Sequence, residues 1–317
     1  MKARQLGKTG LRVSELGLGT WGLCGTGYGE VTDNEARRVI ARALEIGVTL
    51  FDTADVYGAG RAEAMLGRVL AEHDEGRDVV VVTKVGTDRT TVPALKRFDG
   101  AWLRQRVLAS VKRLGREAID VCLLHNPSDE TLRESGAAEA MKALKKEGLI
   151  RHWGVAAGDQ DTAQAAIEQG AEVVEMAYNI LHAAELHRIA GDVVVGGTGI
   201  LARSVLGYGL LAGLWAKNQS FQEGDHRRDR WTKDDFERRH AQLDAIRFLV
   251  HGDVHTLRGA AVRYVLANHI VSSAVLGPRS VVQLEQLVRE TGSGPTYLPD
   301  ADLAALPRAL QKVGVVV

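Results

Sequence analysis

The sequence FDTADVYG, from Phe51 to Gly58, determines how the rest of the chain is interpreted. The apolar run VTLF leads into it and ends at Asp52, and turn-forming residues follow. This pattern predicts a buried strand that ends at Asp52, with Tyr57 in the loop beyond. An aspartate and a tyrosine are therefore expected close together at the end of one strand.

Two later apolar runs end in the same way. VVVVTK ends at Lys84, and IDVCLLH ends at His125. The carboxyl ends of the strands in a parallel barrel lie on one face, where such enzymes keep their active sites. Singly, each residue has a structural explanation: a loop-capping Asp52, a solvated Lys84 or a core His125. Three successive strand ends of this kind favour a shared site that also includes Tyr57.

The chemistry of these four side chains suits proton transfer. A tyrosine hydroxyl has a pKa of about 10 in water, so Tyr57 donates a proton poorly unless a neighbour stabilises its phenolate. A nearby Lys84 ammonium would lower the tyrosine pKa, and the Asp52 carboxylate would keep that ammonium charged and in place. His125 could then orient a substrate carbonyl. The group predicts a general acid acting on a carbonyl oxygen.

These residues, in this order, resemble the catalytic tetrad of the aldo-keto reductases, and the resemblance runs from RQLGKTGLRVSELGLGTW near the N-terminus to GPRS near the end. It implies that Tyr57 is the acid/base, that Lys84 and Asp52 tune it, and that His125 helps to place the substrate. It also implies an oxidoreductase that uses NADP(H), with NAD(H) not excluded, to reduce an aldehyde, ketone or sugar to an alcohol, or the reverse.

The pattern of predicted strands and helices alternates without interruption. Eight strands with intervening helices predict a (β/α)8 TIM barrel. Residues Lys2 to Leu16, with a turn at Gly7 to Gly10, predict an N-terminal β-hairpin that closes the bottom of the barrel. A chain of 317 residues with 45% hydrophobic content suits one barrel domain over residues 1–317.

The composition argues against several other classes of function. The formal net charge is zero, so nothing favours nucleic acid or an anionic membrane as a partner. No signal peptide or spanning stretch is evident, and a cytoplasmic protein with a small-molecule substrate is expected. Cys24 and Cys122 are far apart, and His251 and His255 lack a third ligand, so neither a disulfide framework nor a metal site is expected.

The stretch GLGTWG, Gly17 to Gly22, matches the dinucleotide fingerprint GxGxxG. That fingerprint requires a helix to begin at its third glycine, whereas the first helical pattern begins only near Asp33, so a Rossmann site is rejected. The resemblance instead implies that this segment borders the cofactor and the substrate mouth. The substrate-binding residues predicted on this basis are Trp21, Tyr28 and Asn126.

The segment GPRS, Gly277 to Ser280, stands between the last predicted strand and the helix VVQLEQLVRE, where barrels often hold a phosphate on a helix N-terminus. The resemblance implies that the adenosine part of NADP(H) binds here, with Arg279 on the 2′-phosphate and Arg203 stacked on the nicotinamide. The full set of predicted cofactor-binding residues is Gly19, Thr20, Trp21, Asp52, Glu175, Arg203, Ser204, Leu206, Gly277, Arg279 and Gln283.

Several positions depart from the family pattern. The usual GVSN is GVAA here, which replaces two carboxamide-binding residues with Ala156 and Ala157. Glu175 stands where glutamine is common, and Leu287 where an asparagine often contacts adenine. Each lost hydrogen bond contributes about 1 kcal/mol, so a loosely held nicotinamide is predicted.

These departures leave two rival functions open. One is a non-catalytic or regulatory barrel that binds cofactor weakly, and the other is a Schiff-base lyase with Lys84 as nucleophile. Asp52 argues against the lyase because it favours the charged ammonium. The run DHRRDRWTKDDFERRH, residues 225–240, predicts a solvated face, with a flap over the cofactor as the alternative.

Overall fold

A computed structural model describes residues 1–25, 27–216, 218–292 and 294–317. Its first two strands, β1 (Ala3–Gln5) and β2 (Arg12–Ser14), form an antiparallel hairpin. The hairpin closes the bottom of the barrel, where Gly7 has a φ of +53° and a Cβ would lie 2.3 Å from the amide nitrogen of Gly199. Only glycine permits so close an approach. The predicted N-terminal hairpin is confirmed.

Eight parallel strands form a closed barrel. They follow one another around the barrel in chain order, and the last pairs with the first. The predicted (β/α)8 architecture is thereby confirmed. A short antiparallel pair, β6 (Thr87–Asp88) with β7 (Leu95–Lys96), lies outside the barrel. The barrel strands are β3 (Leu16–Gly19), β4 (Leu50–Asp52), β5 (Val80–Val85), β8 (Ile119–His125), β9 (Ile150–Ala156), β10 (Val173–Ala177), β11 (Gly199–Arg203) and β12 (Val271–Leu276).

Helices cover the outside of the barrel, and several begin at a side chain that accepts a hydrogen bond from the first turn, among them Thr32, Asp99 and Ser280. No helix of the described ranges is long and apolar enough to cross a membrane. The helices are α1 (Asp33–Glu45), α2 (Arg61–Glu72), α3 (Gly100–Leu114), α4 (Asp129–Glu134), α5 (Ala137–Lys146), α6 (Gln160–Glu168), α7 (Ala184–Arg188), α8 (Ala190–Gly196), α9 (Lys233–Ala245), α10 (Leu257–Ala267), α11 (Val281–Glu290) and α12 (Asp300–Gln311).

Short 3₁₀ turns connect some of these elements, and one of them decides the status of the GLGTWG stretch. Residues Trp21–Leu23 form such a turn after β3, and the first α-helix begins at Asp33. The rejection of a Rossmann fingerprint is therefore confirmed. The other 3₁₀ turns are Tyr57–Gly60, Asp74–Arg77, Gly207–Ala212 and Arg247–Leu249.

Alternation along the barrel strands positions the polar groups. Successive strand residues point to opposite faces, and one buried layer inside the barrel is apolar: it includes Leu50, Val82, Leu123, Val173 and Leu201. The residues two positions further along each of these strands face the same way. At the carboxyl ends of five strands, the interior therefore changes from apolar to ionisable at Asp52, Lys84, His125, Glu175 and Arg203.

Candidate active site

The carboxyl ends of the barrel strands surround a cavity of about 800 Å³. That volume is within the usual range for small-molecule sites. The cavity brings together predicted residues from positions far apart in the chain. Those that line it are Gly19, Trp21, Tyr28, Asp52, Tyr57, Lys84, His125, Asn126, Glu175, Arg203, Ser204, Leu206, Gly277, Arg279 and Gln283.

Lys84 lies at the centre of the polar cluster. Its Nζ donates hydrogen bonds to the Asp52 carboxylate and to the Thr53 carbonyl, the latter at 3.1 Å. Lys84 and Asp52 are both almost fully buried. Although burial opposes the charge, Asp52 and Glu175 raise the pKa of Lys84 above its ordinary value. The lysine is therefore held as an ammonium, which is not nucleophilic.

Tyr57 stands beside this ammonium in the turn after β4. Lys84 Nζ is 5.6 Å from the centroid of the tyrosine ring, and the His125 ring centroid is 6.2 Å away. Burial raises the pKa of Tyr57, Lys84 lowers it, and Asp52 and Glu175 raise it again. The expected net lowering of the tyrosine pKa is therefore not found, because desolvation outweighs the ammonium. Lys84 still acts in the predicted direction.

His125 is held as a neutral imidazole. Burial lowers its pKa well below the usual value, and nearby cations, including Lys84 and Arg203, add to the effect. Its Nδ1 is buried without a hydrogen-bond partner among the described residues. Neutral imidazole can donate from one ring nitrogen and accept at the other. Such a group is suited to orienting a carbonyl or a hydroxyl.

Trp21 forms an aromatic wall on the other side of Tyr57. The two rings stack with centroids 6.3 Å apart, and the Trp21 centroid is 5.0 Å from Tyr28 and 4.8 Å from His226. His226 is a residue that the sequence interpretation missed. Its backbone amide donates to the Gly27 carbonyl at 3.0 Å, which ties the loop after β11 to the loop after β3.

The charged run 225–240 therefore begins against the cavity rather than as a solvated face. Asp225 is buried and pairs with Tyr28 in an isolated bridge. Its carboxylate also accepts hydrogen bonds from Arg227, including one from Nε at 2.9 Å. The solvated-face interpretation is wrong for these first residues, because aromatic rings and a paired carboxylate cover them. Later in the run, Thr232 caps the largely exposed helix α9.

Thr20, which was predicted to contact the cofactor, is absent from the lining of the cavity. Its amide nitrogen and its Oγ1 both donate to the Asp52 carbonyl, at 2.9 and 3.0 Å. The residue is almost fully buried and lies behind the cavity wall formed by Gly19 and Trp21. Thr20 fixes the end of β4 and so positions Asp52. A direct contact with a cofactor is not indicated.

The two alanines after β9 differ in their surroundings. Ala156 lines the cavity, whereas Ala157 packs in the apolar layer between the barrel and its helices. The Ala157 carbonyl accepts a hydrogen bond from Arg203 Nη2 at 2.9 Å. Asn126 and Ser204, which follow β8 and β11, have φ values of 50° and 57°. Such strained backbone is frequent at functional sites.

Glu175 lines the cavity and makes a contact that the sequence interpretation did not include. Its Oε2 lies 3.0 Å from Lys84 Nζ, and the side chain is almost fully buried. This Nζ–Oε2 contact is an ion pair without hydrogen-bond geometry, so Oε2 has no hydrogen-bond partner among the described residues. The predicted contact of Glu175 with a carboxamide stays a prediction, and the structure adds a contact with the lysine of the cluster.

The other end of the cavity is formed by the start of α11. The Arg279 amide donates to Gln283 Oε1 at 2.9 Å, and its Nη2 donates to the Glu30 carbonyl at 3.1 Å. Its Nε is buried without a hydrogen-bond partner among the described residues. The Val281 amide donates to Glu35 Oε1 at 3.2 Å. One amide of the expected phosphate site at the helix N-terminus is therefore already bound to a carboxylate.

Further cations line this cavity that sequence reasoning did not single out. Arg227 and Arg230 come from the charged loop after β11, and Arg258 comes from the start of α10. Arg230 covers the Tyr208 ring at 3.6 Å, and Arg258 pairs with Glu290. The position of the charged loop after a barrel strand was the available signal for the first two. The cavity is thus rich in positive charge away from the Lys84 cluster.

Comparison with known proteins agrees with this arrangement. The model of the aldo/keto reductase family matches residues 15–297. The chain is 29% identical to aldo-keto reductase YhdN of Bacillus subtilis over 301 residues. The aligned region covers 92% of this chain and 89% of that protein. The holo form of aldo-keto reductase AKR11C1 from Bacillus halodurans superposes with a TM-score of 0.79 and 26% identity, over 99% of this chain and 96% of that one. Glycerol dehydrogenase AKR11B4 from Gluconobacter oxydans gives a TM-score of 0.84 and 27% identity, over 98% and 96% of the two chains.

Proposed function

Because this chain belongs to the aldo/keto reductase family, whose members are oxidoreductases, we propose that it uses NADP(H) to reduce a carbonyl group to an alcohol, with Tyr57 as the general acid. The observation that carries the proposal is the convergence of Tyr57, Lys84, Asp52 and His125 in one cavity. The reverse reaction, oxidation of an alcohol, would use the same groups with Tyr57 as base.

The residues present fit a dinucleotide phosphate. The cavity is large, and the buried Nε of Arg279 has no hydrogen-bond partner among the described residues. Arg279 and Gln283 would hold the adenosine end, and Arg203 would lie beside the nicotinamide. When bound, the cofactor supplies the hydride. Since Glu35 already binds the Val281 amide, Arg279 rather than the helix terminus would carry most of the recognition of a 2′-phosphate.

The protein's own side chains would then manage the oxygen of the substrate. His125, neutral and with an unpaired Nδ1, would hold the carbonyl oxygen next to the Tyr57 hydroxyl. Tyr57 would donate its proton as negative charge develops on that oxygen. The Lys84 ammonium would stabilise the resulting phenolate. Trp21 and Tyr28 would bound the substrate, and Asn126 would border it at the end of β8.

The substitution Tyr57→Phe tests the proposal. We expect a loss of carbonyl reduction of about 100-fold or more, because the ring remains to pack while the acid is removed. Reduction of short aldehydes and oxidation of glycerol would both be assayed, since one structural neighbour is a glycerol dehydrogenase. Cofactor affinity, measured by fluorescence titration, is expected to stay the same.

Tyr297→Phe provides the matched control. Its hydroxyl hydrogen-bonds to Glu15 near the N-terminal hairpin, outside the cavity. That variant should keep its turnover. Near-normal turnover by Tyr57→Phe at saturating NADPH would show that another group is the acid. An unmutated protein that binds NADPH but turns over no carbonyl or alcohol would instead support a regulatory barrel.

A further inference from the structure

Among the residues that the structure describes, the cluster around Lys84 contains two buried carboxyl groups and one ammonium. Glu175, from β10, and Asp52, from β4, contact Lys84 Nζ from different strands. Each of the two carboxyl side chains is almost fully buried. The proposed reduction assigns no role to Glu175. A buried carboxylate without full compensation is costly, so its charge state needs an explanation.

The charges facing Glu175 can be counted element by element. Lys84 lies on β5, Asp52 on β4 and Tyr57 in the turn after β4. Arg203 lies at the end of the neighbouring strand β11, where it pairs in register with Ala177. Arg203 is half-buried and binds the Ala157 carbonyl. His125, on β8, is neutral for the reasons given above. Lys84 is therefore the ammonium that both carboxyl groups contact directly.

Because the carboxyl groups of Asp52 and Glu175 contact the same Lys84 Nζ, they lie close to each other in one buried site. Two ionised carboxylates this close would repel each other, and one ammonium carries only enough positive charge to balance one of them. Like-charged carboxylates that share a buried site usually retain one proton between them. The shared contact with Lys84 therefore favours one proton held by the two carboxyl groups while Lys84 stays charged.

We propose that Glu175 is a positioning residue of this site, which forms with Asp52 a carboxyl pair that holds one proton next to the Lys84 ammonium. Through Lys84, the pair sets the net charge beside Tyr57. With the proton in place, the three groups together are neutral; without it they carry one negative charge and hold the Tyr57 proton more tightly. The shared proton is independent of the reaction, whereas its effect on turnover rests on the proposed reductase function.

Infrared spectroscopy of the protein without added nucleotide tests the shared proton directly. A protonated carboxyl group has a C=O stretching band distinct from that of a carboxylate. Burial and the neighbouring Glu175 raise the pKa of Asp52 to about 8, so we expect this band at neutral pH and its loss as the pH rises through that value. Asp55 is buried beside Arg106, and its pKa is raised only to about 6, so its band disappears at lower pH.

Glu175→Gln should abolish the band at neutral pH, because Asp52 then ionises opposite Lys84. Asp52→Asn should also abolish it, which keeps the test valid if one variant fails to fold. Glu172→Gln is the matched control: Glu172 precedes β10 and pairs with Lys145 and His152 outside the cavity. This control should keep the band. A wild-type protein without the band, or a band unchanged in Glu175→Gln, would overturn the proposal.

The effect on catalysis is read from the pH profile of carbonyl reduction. In the wild-type protein, kcat/KM should decline as the pair loses its proton, and in Glu175→Gln this decline should shift or disappear. An identical decline in both proteins would overturn the assigned positioning role. If neither protein turns over any carbonyl at any pH, the reductase function fails while the infrared result still decides the shared proton.

Discussion

Arg279 is the residue on which we expect cofactor choice to depend. Its side chain lies against Gly22, where a Cβ would be 3.1 Å from Arg279 Cγ, and its buried Nε has no hydrogen-bond partner among the described residues. A guanidinium fixed in this way is preorganised to bind an anion through bidentate hydrogen bonds. A nucleotide with a 2′-phosphate would satisfy it, and one with a 2′-hydroxyl would satisfy it less well.

Arg279→Ala should therefore erase a preference for NADP(H) over NAD(H). A charge-assisted contact contributes about 1.5–3 kcal/mol, equivalent to roughly 10- to 100-fold in Kd. The measurement is a fluorescence titration of each variant with both cofactors, and NAD(H) affinity should change little. Arg289→Ala is the control, because Arg289 is exposed near the end of α11, the helix that follows Arg279. Equal affinities of the unmutated protein for the two cofactors would refute the assignment.

At the scale of one element, the end of β9 shows how a strand positions two similar residues differently. Ala156 faces the cavity and Ala157 the helix layer. The predicted loss of two carboxamide contacts therefore concerns two different environments. A polar side chain at 156 could reach a ligand directly, whereas one at 157 would be buried among apolar groups.

Ala156→Ser should therefore tighten NADP(H) binding, by about five-fold if it restores one hydrogen bond of about 1 kcal/mol. Ala157→Ser is the matched control, since it adds the same hydroxyl one residue further along and should give no gain. Titration calorimetry of the two variants measures the difference. Weaker binding by a folded Ala156→Ser would mean that the small side chain makes room for the ligand.

The strands also show why sequence reasoning succeeded for some features and failed for others. The barrel strands could be predicted because they are apolar runs, and β4, β5 and β8 also end at polar residues, namely Asp52, Lys84 and His125. The β6–β7 pair was missed because each strand is only two residues long, which is too short to show alternation. The contact between Glu175 and Lys84 was missed because it joins strands that are not neighbours, and barrel closure decides which interior residues meet. The spacing from Val173 to Glu175 could have shown that the glutamate points inward.

For the whole molecule, the buried carboxyl pair should make stability depend on pH. The pKa of Asp52 is raised from 3.8 to about 8 in the folded protein. The folded state therefore holds a proton that the unfolded chain releases. The contribution of this proton to the free energy of unfolding is complete below the pKa that Asp52 has in the unfolded chain. It is lost as the pH rises through the pKa that Asp52 has in the folded protein. His125 acts in the opposite sense, but only below its ordinary pKa of about 6.5.

Between about pH 7 and pH 8, where histidines are mostly neutral in both states, the free energy of unfolding should therefore fall, by at most about 1.4 kcal/mol per pH unit from this group. Urea unfolding across that interval measures the slope. In Glu175→Gln the slope should be smaller, because Asp52 loses the neighbour that raises its pKa. A wild-type slope of zero, or a steeper slope in the variant, would contradict the prediction.

The apolar layer beneath the polar cluster, formed by residues such as Leu50, Val82 and Leu123, has a consequence for the supply of protons. Each reduction would consume the Tyr57 proton, and a replacement must arrive before the next. Closely packed aliphatic side chains offer no chain of donors and acceptors along which a proton could travel from the bottom of the barrel. Replenishment must come from the open side, past His125 and the aromatic wall. The mouth would then serve as the inlet for protons as well as for substrate.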